Sequence, residues 1–145
     1  MPTTKRTRNL KAAPEDVWRM VGDPYHLPRW WPRVERVEAV AGERFTELLR
    51  ASKSGRAVRA DFKVVEKRKE RLLRFEQEIA GSPFERVLRE AHTEIAIEPA
   101  AGGTTVAITL RQRLRGLSRL GSFLVRRATR RILDEALDGL EVALG

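Results

Sequence analysis

The chain contains no cysteine and only two histidines, His26 and His92. Without cysteine there is no disulfide bond, no thiol nucleophile and no thiolate metal ligand. The two histidines lie 66 positions apart, and no cluster of other ligand-type side chains accompanies either of them. We therefore expect neither a metal site nor a cofactor.

Long apolar runs are missing as well. No stretch approaches the roughly 18 consecutive apolar residues of a membrane-spanning helix. Residues 1–10 are polar and basic, and the apolar segment of a secretory signal does not follow them. These absences lead us to expect a cytoplasmic protein. A length of 145 residues with 41% hydrophobic content suits a single domain, residues 1–145, with its own core.

Acidic residues are too few to balance the basic ones, with 20 Asp and Glu against 29 Lys and Arg and a net charge of +9. Arginine supplies 23 of those 29 basic residues. A basic surface can bind nucleic acid or anionic lipid. A coding preference for arginine over lysine would produce the same charge without any binding role, so composition leaves both interpretations open.

Residues 117–144 have the apolar period of a long amphipathic helix. Its predicted apolar side carries Leu117, Gly121, Val125, Ala128, Ile132, Ala136 and Leu140. At about 1.5 Å per residue such a helix spans roughly 40 Å, so it needs a large apolar surface to pack against.

The preceding residues indicate a sheet that could supply this surface. A short helix is predicted to begin at Pro14 and end before Gly22, and a helical turn over residues 25–27 is stopped by Pro28. Alternating apolar residues predict strands over residues 32–41, 45–51, 58–64, 73–79, 84–97 and 105–113, with turns that include 52–55 and 99–103. Residues 3–11 are polar on both faces, and a strand is predicted there mainly because residues 12–14 end the segment before a helix. This order favours an α+β fold, a twisted antiparallel sheet with its helices on one side.

Several sequence features resemble a known family. They are APEDVW at residues 13–18, DP at 23–24, LPRWWPRV at 27–34, a turn and Thr-x-Val strand at 102–108, Leu-x-Gly at 114–116 and LDEALDGL at 133–140. Together, over almost the whole chain, they resemble the polyketide cyclase/dehydrase and lipid-transport superfamily, the START-like, Bet v 1-like helix-grip group.

The resemblance implies a curved antiparallel sheet of about seven strands wrapped around a long C-terminal helix, with two short helices after the first strand. It also implies a cavity between the sheet and the C-terminal helix that holds an apolar small molecule. Family members include lipid carriers, aromatase/cyclases that act on poly-β-ketone chains, and coenzyme Q-binding proteins. One departure is the first strand, residues 3–11, which lacks the usual alternating aliphatic residues.

Strand parity and the tryptophan pair give a predicted set of ligand-contacting residues. Two adjacent indoles cannot both enter one small core, so one of Trp30 and Trp31 is expected at the cavity mouth or in solvent, although both could simply anchor the connection. Gln77 is a polar residue on an apolar face, paired either with protein or with a ligand. The predicted contacts are Trp30, Trp31, Phe45, Phe62, Phe75, Gln77, Phe84, Thr93 and Val125.

Two residues are candidates for acid/base chemistry. Glu47 shares the strand parity of Phe45, where a carboxyl group would be buried and its pKa raised. A bulge, or exposure near the strand end, is the simpler interpretation of a glutamate at this position. His26 lies near the tryptophan pair and is the imidazole best placed to act as a general base. His92 alternates with Thr93 and is expected to face solvent.

The basic run in the last third of the chain has two interpretations. Arg119, Arg126, Arg127 and Arg130 could contact an anionic membrane surface, or they could form a solvated helix face. Nucleic acid is not expected as a partner, because the run lacks interleaved aromatic residues for base stacking. The chain is expected to be a monomer or a homodimer.

Three functions fit these observations. The first is binding or transport of a hydrophobic small molecule, such as a lipid, isoprenoid or polyketide, without catalysis. The second is an aromatase/cyclase or dehydratase of the same fold that uses Glu47 or His26. The third is an interaction module that docks on acidic lipid, RNA or protein through its arginine-rich face.

Overall fold

A computed structural model describes residues 3–50, 57–116 and 119–145, with side chains from residue 121 onward in the last range. Its seven strands form one antiparallel sheet in the order β1-β7-β6-β5-β4-β3-β2. The strands are β1 Thr3–Leu10, β2 Val34–Ala41, β3 Arg44–Arg50, β4 Ala57–Arg68, β5 Leu72–Glu78, β6 Leu88–Ala100 and β7 Gly103–Leu114. The predicted α+β, helix-grip fold is confirmed.

Two short helices and a 3-10 turn join β1 to β2. Helix α1 is Pro14–Val21, the 3-10 turn is Pro24–His26 and helix α2 is Leu27–Trp30. Pro14 occupies the first turn of α1, where its missing N–H is not needed, and Glu15 and Asp16 favour that helix end. The prediction that Pro28 stops the second helical turn is wrong. Pro28 lies in the first turn of α2, where the same reasoning makes proline acceptable.

Helix α3, Arg119–Leu144, is 26 residues long and therefore extends for about 39 Å. Its buried stripe consists of Thr129, Leu133, Ala136, Leu137 and Leu140. The predicted stripe is partly wrong, because Ala128 is exposed while Val125 and Ile132 are only half-buried. The helix packs mainly against β1 and α2, and these contacts select a face rotated toward Leu133 and Leu137. Leu117 lies outside the described residues.

Strand ends differ from the prediction at several places, and β4 in particular continues to Arg68 rather than ending near residue 64. The strand expected from residue 84 begins at Leu88, because residues 79–88 form successive turns in which Ser82 N donates to Ile79 O and Leu88 N donates to Phe84 O. The strand also continues to Ala100, so the turn expected over residues 99–103 is tighter. The turn predicted at residues 52–55 lies outside the described part of the chain.

The described core consists of two apolar clusters. The main cluster joins Val17, Leu27 and Trp30 of the short helices to the buried stripe of α3 and to Ile95 and Ile108 of the sheet. The second cluster contains Ile79, Leu88 and Ala91, with Phe84 and Leu114 packed against them. The two clusters share no residue, so the core is divided into a large and a small part.

The unusual first strand is attached to α3 by charge as well as by packing. Arg6 Nε lies 2.7 Å from the carboxylate of Asp134, and Arg8 pairs with Asp138 one helical turn further along. Leu10 and Thr4 are the buried residues of this strand. In β1, ion pairs with α3 thus take the place of some of the apolar contacts that alternating aliphatic residues would otherwise make.

Among the described residues, α3 included, no helix combines the length and the apolarity needed to cross a membrane.

Candidate functional site

A cavity of about 550 Å³ lies between the end of α1 and the sheet, beside the β2–β3 hairpin. Its apolar wall is formed by Val21, Leu27, Val40, Phe45, Val64, Leu73, Phe75 and Ile95. Charged side chains form part of the remaining lining and include Asp23, Glu43, Arg44, Glu66 and Lys67. The volume is within the range of small-molecule sites, roughly 300–1,000 Å³.

This cavity is not where the resemblance placed it. No α3 residue among those described belongs to its lining, so it lies on the α1 side of the core rather than between the sheet and the C-terminal helix. Sequence reasoning missed the contributions of residues 22–24 and of the β2–β3 hairpin. Gly42 and the Gly-Asp-Pro turn mark those loops in the sequence, but the pattern gives no sign that they meet.

Three phenylalanines form an aromatic cluster beside the cavity, the phenylalanine wall. Phe45 stacks on Phe62 with ring centroids 5.2 Å apart and an interplanar angle of 11°. Phe75 meets Phe45 at 5.4 Å and Phe62 at 5.6 Å, in both cases edge to face. These separations are those of favourable aromatic pairs. Phe45 and Phe75 line the cavity, and Phe62 packs against both rings outside the described lining. The contact of all three with a ligand stays a prediction.

Glu47 is a buried carboxyl group on the same face of β3 as Phe45, with only 5% of the residue exposed. The simpler interpretation of this position, exposure through a bulge or the strand end, is therefore wrong. In the sheet Glu47 pairs with Val37 on one side and with Ala60 on the other. Burial raises the pKa of Glu47 to about 8, and no charged group among the described residues offsets this desolvation. The carboxyl group is thus protonated at neutral pH and available as a proton donor.

Gln77 follows Phe75 on the same face of β5, directly across from Phe62. Its Nε2 atom is buried and has no hydrogen-bond partner among the described residues. A buried donor left unpaired costs about 1–3 kcal/mol. Glu47 likewise has no hydrogen bond or ion pair within the described ranges. Neither Glu47 nor Gln77 belongs to the described cavity lining, so the two residues place unpaired polar groups in the interior, next to the phenylalanines rather than in the cavity itself.

The two tryptophans differ in burial. Trp30 is buried and its ring meets that of Trp31 edge to face at 5.4 Å, while Trp31 is half-buried at the margin of the main core cluster. The Nε1 atom of Trp30 is buried without a partner in the described structure. Neither ring belongs to the lining of the cavity. Their role as ligand contacts stays a prediction.

His26 has a structural role that sequence reasoning did not foresee. Its Nδ1 atom lies 3.0 Å from the carbonyl oxygen of Arg19 and 3.3 Å from that of Met20, so a protonated Nδ1 donates to the free end of α1. Its Nε2 atom is 3.8 Å from the carboxylate of Asp23. His26 is absent from the described cavity lining. Its role as a general base stays a prediction that this position does not favour.

The remaining predicted residues lie in three places, and of these Thr93 lies directly across from Phe75 in the sheet. Phe84 packs in the second apolar cluster, Thr93 is buried in β6, and Val125 is half-buried on α3. His92 is half-exposed between Glu76 and Glu90, at 3.6 Å from each carboxylate, and so points outward as expected. Within the described ranges, no group of three or more His, Asp or Glu residues is arranged to hold a metal ion.

Comparison with known families gives a match over the whole chain. The family model described as polyketide cyclase/dehydrase and lipid transport matches residues 1–145. A comparison with curated proteins finds no significant match.

Solved structures share the fold. A START superfamily protein from Mycobacterium smegmatis aligns with a TM-score of 0.79 at 13% identity, covering 98% of this chain and 96% of its own. The di-domain ARO/CYC BexL from the BE-7585A biosynthetic pathway aligns with a TM-score of 0.80 at 20% identity, covering 99% of this chain and 46% of its own. TTHA0849 from Thermus thermophilus aligns with a TM-score of 0.74 at 25% identity, covering 99% of this chain and 97% of its own.

Proposed function

Since the chain belongs to the polyketide cyclase/dehydrase and lipid-transport family, we propose that its whole length acts as one domain that binds an apolar small molecule in the cavity beside α1. The observation that carries this proposal is the cavity itself, about 550 Å³ with a wall of aliphatic and aromatic side chains. Binding of an apolar ligand there would remove the apolar surface of the ligand and that of the cavity wall from water, which favours binding. The charged residues of the lining would orient any polar group of the ligand.

The test uses two matched valines of β4. Val64 lines the cavity, whereas Val58 lies on the same face of the same strand and is not part of the lining. Titration with a polyene fatty acid, whose fluorescence rises on leaving water, would measure binding. We expect V64F to weaken probe binding at least tenfold and V58F to change it by less than about twofold, since a larger side chain fills only the cavity it faces. Equal affinities for V64F and the wild type would exclude this cavity as the site.

A second candidate function is favoured by Glu47. In a dehydratase or aromatase/cyclase acting on a poly-β-ketone chain, its neutral carboxyl group would donate a proton to a departing hydroxyl, which leaves as water. The resulting carboxylate would then take the proton from the neighbouring carbon, so that the enzyme is regenerated. Glu47 does not belong to the described cavity lining, but it lies two residues from Phe45 on one strand face, about 7 Å away, so a ligand would have to extend past the phenylalanine wall to meet it.

The two functions differ in what Glu47 does. In an enzyme, E47Q would abolish turnover while leaving probe affinity within about twofold, because the amide keeps the shape and loses the transferable proton. In a carrier, there is no turnover to lose. E38Q is the matched control, since Glu38 is an exposed carboxylate of the neighbouring strand β2 outside the described cavity lining, and its loss should leave both turnover and binding intact. Turnover that survives E47Q would remove Glu47 from the chemistry.

A further inference from the structure

The first half of α3 carries an exposed surface that combines apolar and basic side chains. We define this entry surface by the residues Val87, Phe123, Leu124, Arg126, Arg127 and Arg130. Phe123 is 53% exposed, Leu124 54% and Val87 55%. Val87 belongs to the same end of the molecule because its carbonyl oxygen accepts from Arg115 N, close to where α3 begins. The side chain of Arg119, predicted to act with these arginines, lies outside the described residues.

This part of the helix is not packed into the core. The buried stripe of α3 begins at Thr129, and none of residues 121–128 is buried. The outward side of these turns carries Phe123, Leu124 and Arg127, which lie close together at helical spacing. A helix that exposes aromatic and aliphatic residues beside arginines has the composition of an element that lies in a membrane interface.

The arginines of the entry surface have no counterions in the described part of the chain. Between Glu98 and Asp134 the sequence contains eight arginines and no acidic residue. Arg126, Arg127 and Arg130 have no carboxylate partner among the described residues, so their positive charge is available to an external anion. Several arginines elsewhere are paired with a carboxylate within 4.0 Å, and these pairs include Arg6–Asp134, Arg44–Glu78, Arg59–Asp61, Arg68–Glu66 and Arg74–Glu94.

We propose that the entry surface docks on an anionic lipid bilayer, with Phe123, Leu124 and Val87 entering the interface and the arginines contacting lipid phosphates. Charge complementarity draws the protein to the surface, and burial of the apolar side chains holds it there. A nucleic acid would use the arginines but would leave the aliphatic Leu124 and Val87 exposed to solvent. A bilayer would contact both the arginines and the apolar side chains, and for this reason we assign the surface to lipid. This docking goes beyond the proposed cavity function and does not require a ligand in the cavity.

The test is flotation of the full chain with vesicles of phosphatidylcholine alone, or of phosphatidylcholine mixed equally with phosphatidylglycerol. We expect the protein to float only with the mixed vesicles. The double variant R126Q/R127Q should lower the partition coefficient about tenfold or more, because each basic residue near the surface contributes substantially. The double variant F123A/L124A should lower it by a similar factor and should remove the part of the binding that survives high salt.

Matched controls distinguish binding through the entry surface from a general effect of positive charge or of exposed apolar side chains. K69Q/R71Q removes the same charge at the exposed β4–β5 turn, and V142A shortens an 81% exposed apolar side chain at the other end of α3. Both controls should float like the wild type. V64F should also float normally, even though it loses probe binding. The docking proposal and the cavity proposal can therefore be refuted separately, the first by flotation and the second by probe binding.

Four results would overturn the proposal. One is a wild-type protein that does not float with the mixed vesicles. Another is a loss of flotation in the controls equal to that in the entry-surface variants. A third is tight binding of single-stranded RNA that R126Q/R127Q abolishes and F123A/L124A leaves unchanged, which would reassign the surface to nucleic acid. The last is a wild-type dimer, without vesicles, that F123A/L124A converts to monomer, which would reassign it to a second copy of the chain.

Discussion

At the scale of single residues, two polar side chains on the inner face of the sheet distinguish the interior of this protein from an ordinary apolar core. Glu47 and Gln77 lie on the concave face of the sheet without hydrogen-bond partners among the described residues. Each lowers the stability of the empty protein, since desolvation is not compensated. Groups of this kind are typical of sites where a ligand or a reaction uses them.

The pH dependence of stability should reveal the buried carboxyl of Glu47. Its pKa is raised by burial from 4.5 to about 8, so between these values the unfolded chain releases a proton that the folded chain keeps. Unfolding is therefore favoured increasingly as pH rises through this window, and wild-type stability should fall by a few kcal/mol. E47Q has no proton to release and should lose this slope. Urea unfolding of both proteins at pH 5 and pH 8 measures the difference, and parallel losses in the two proteins would contradict the buried, unpaired carboxyl.

Gln77 should be dispensable for folding. Q77L replaces the unpaired amide with an apolar side chain of similar size and should raise the free energy of unfolding by about 1–2 kcal/mol. Q112L is the matched control, because Gln112 is likewise half-buried but has no buried polar atom left without a partner in the described structure, and it should not stabilise the protein. Thermal or urea unfolding distinguishes them. A destabilised Q77L would mean that the amide is satisfied in the folded protein.

At the scale of elements, the packing of α3 depends on a glycine. A Cβ atom built at Gly139 would lie 2.3 Å from the carbonyl oxygen of Trp30, so α2 and α3 can approach this closely only without a side chain at that position. This contact fixes where α2 lies, and through it the position of the tryptophan pair. The sequence pattern of the C-terminal helix does not show which of its glycines lies at this close contact.

G139A should destabilise the protein by about 1–3 kcal/mol, because α2 must move away from α3. Helix propensity alone predicts the opposite sign, a gain of about 1 kcal/mol for glycine to alanine. V142A, at an exposed position of the same helix, should change stability by only a few tenths of a kcal/mol. Denaturant unfolding of the three proteins gives the sign directly, and a stabilised G139A would exclude the close helix contact.

The secondary-structure elements were predictable where their apolar residues recur with a clear helical or strand period. Strands β2 to β7, the α1 start at Pro14 and the long C-terminal helix all follow from local patterns, whereas β1 is predicted mainly from the break that follows it. The buried face of α3 does not, since Ala128 and Leu133 are both apolar and only packing against β1 and α2 decides between them. Strand parity places Glu47 on the buried face, but parity alone does not show that the strand is free of a bulge there. The capping contact of His26 depends on how the chain turns after Gly22 and has no local signal.

At the scale of the whole molecule, fold and family follow from the sequence, and the location of the cavity does not. The cavity is built from α1, the 3-10 turn, the β2–β3 hairpin and the middle of the sheet, which come together only in the folded chain. The charge distribution shows the same dependence on folding. Most arginines of β1, β3, β4 and β5 meet carboxylates, while the described arginines in the first half of α3 remain available to a partner.

The central claim, an apolar ligand held in the cavity beside α1, is tested most directly by native mass spectrometry of the protein purified from its own host, followed by denaturing extraction. We expect a stoichiometric apolar passenger on the wild-type protein and on V58F, and its loss from V64F, whose side chain fills the cavity. A wild-type protein that carries no passenger and also fails to bind the polyene fatty acid would contradict the claim.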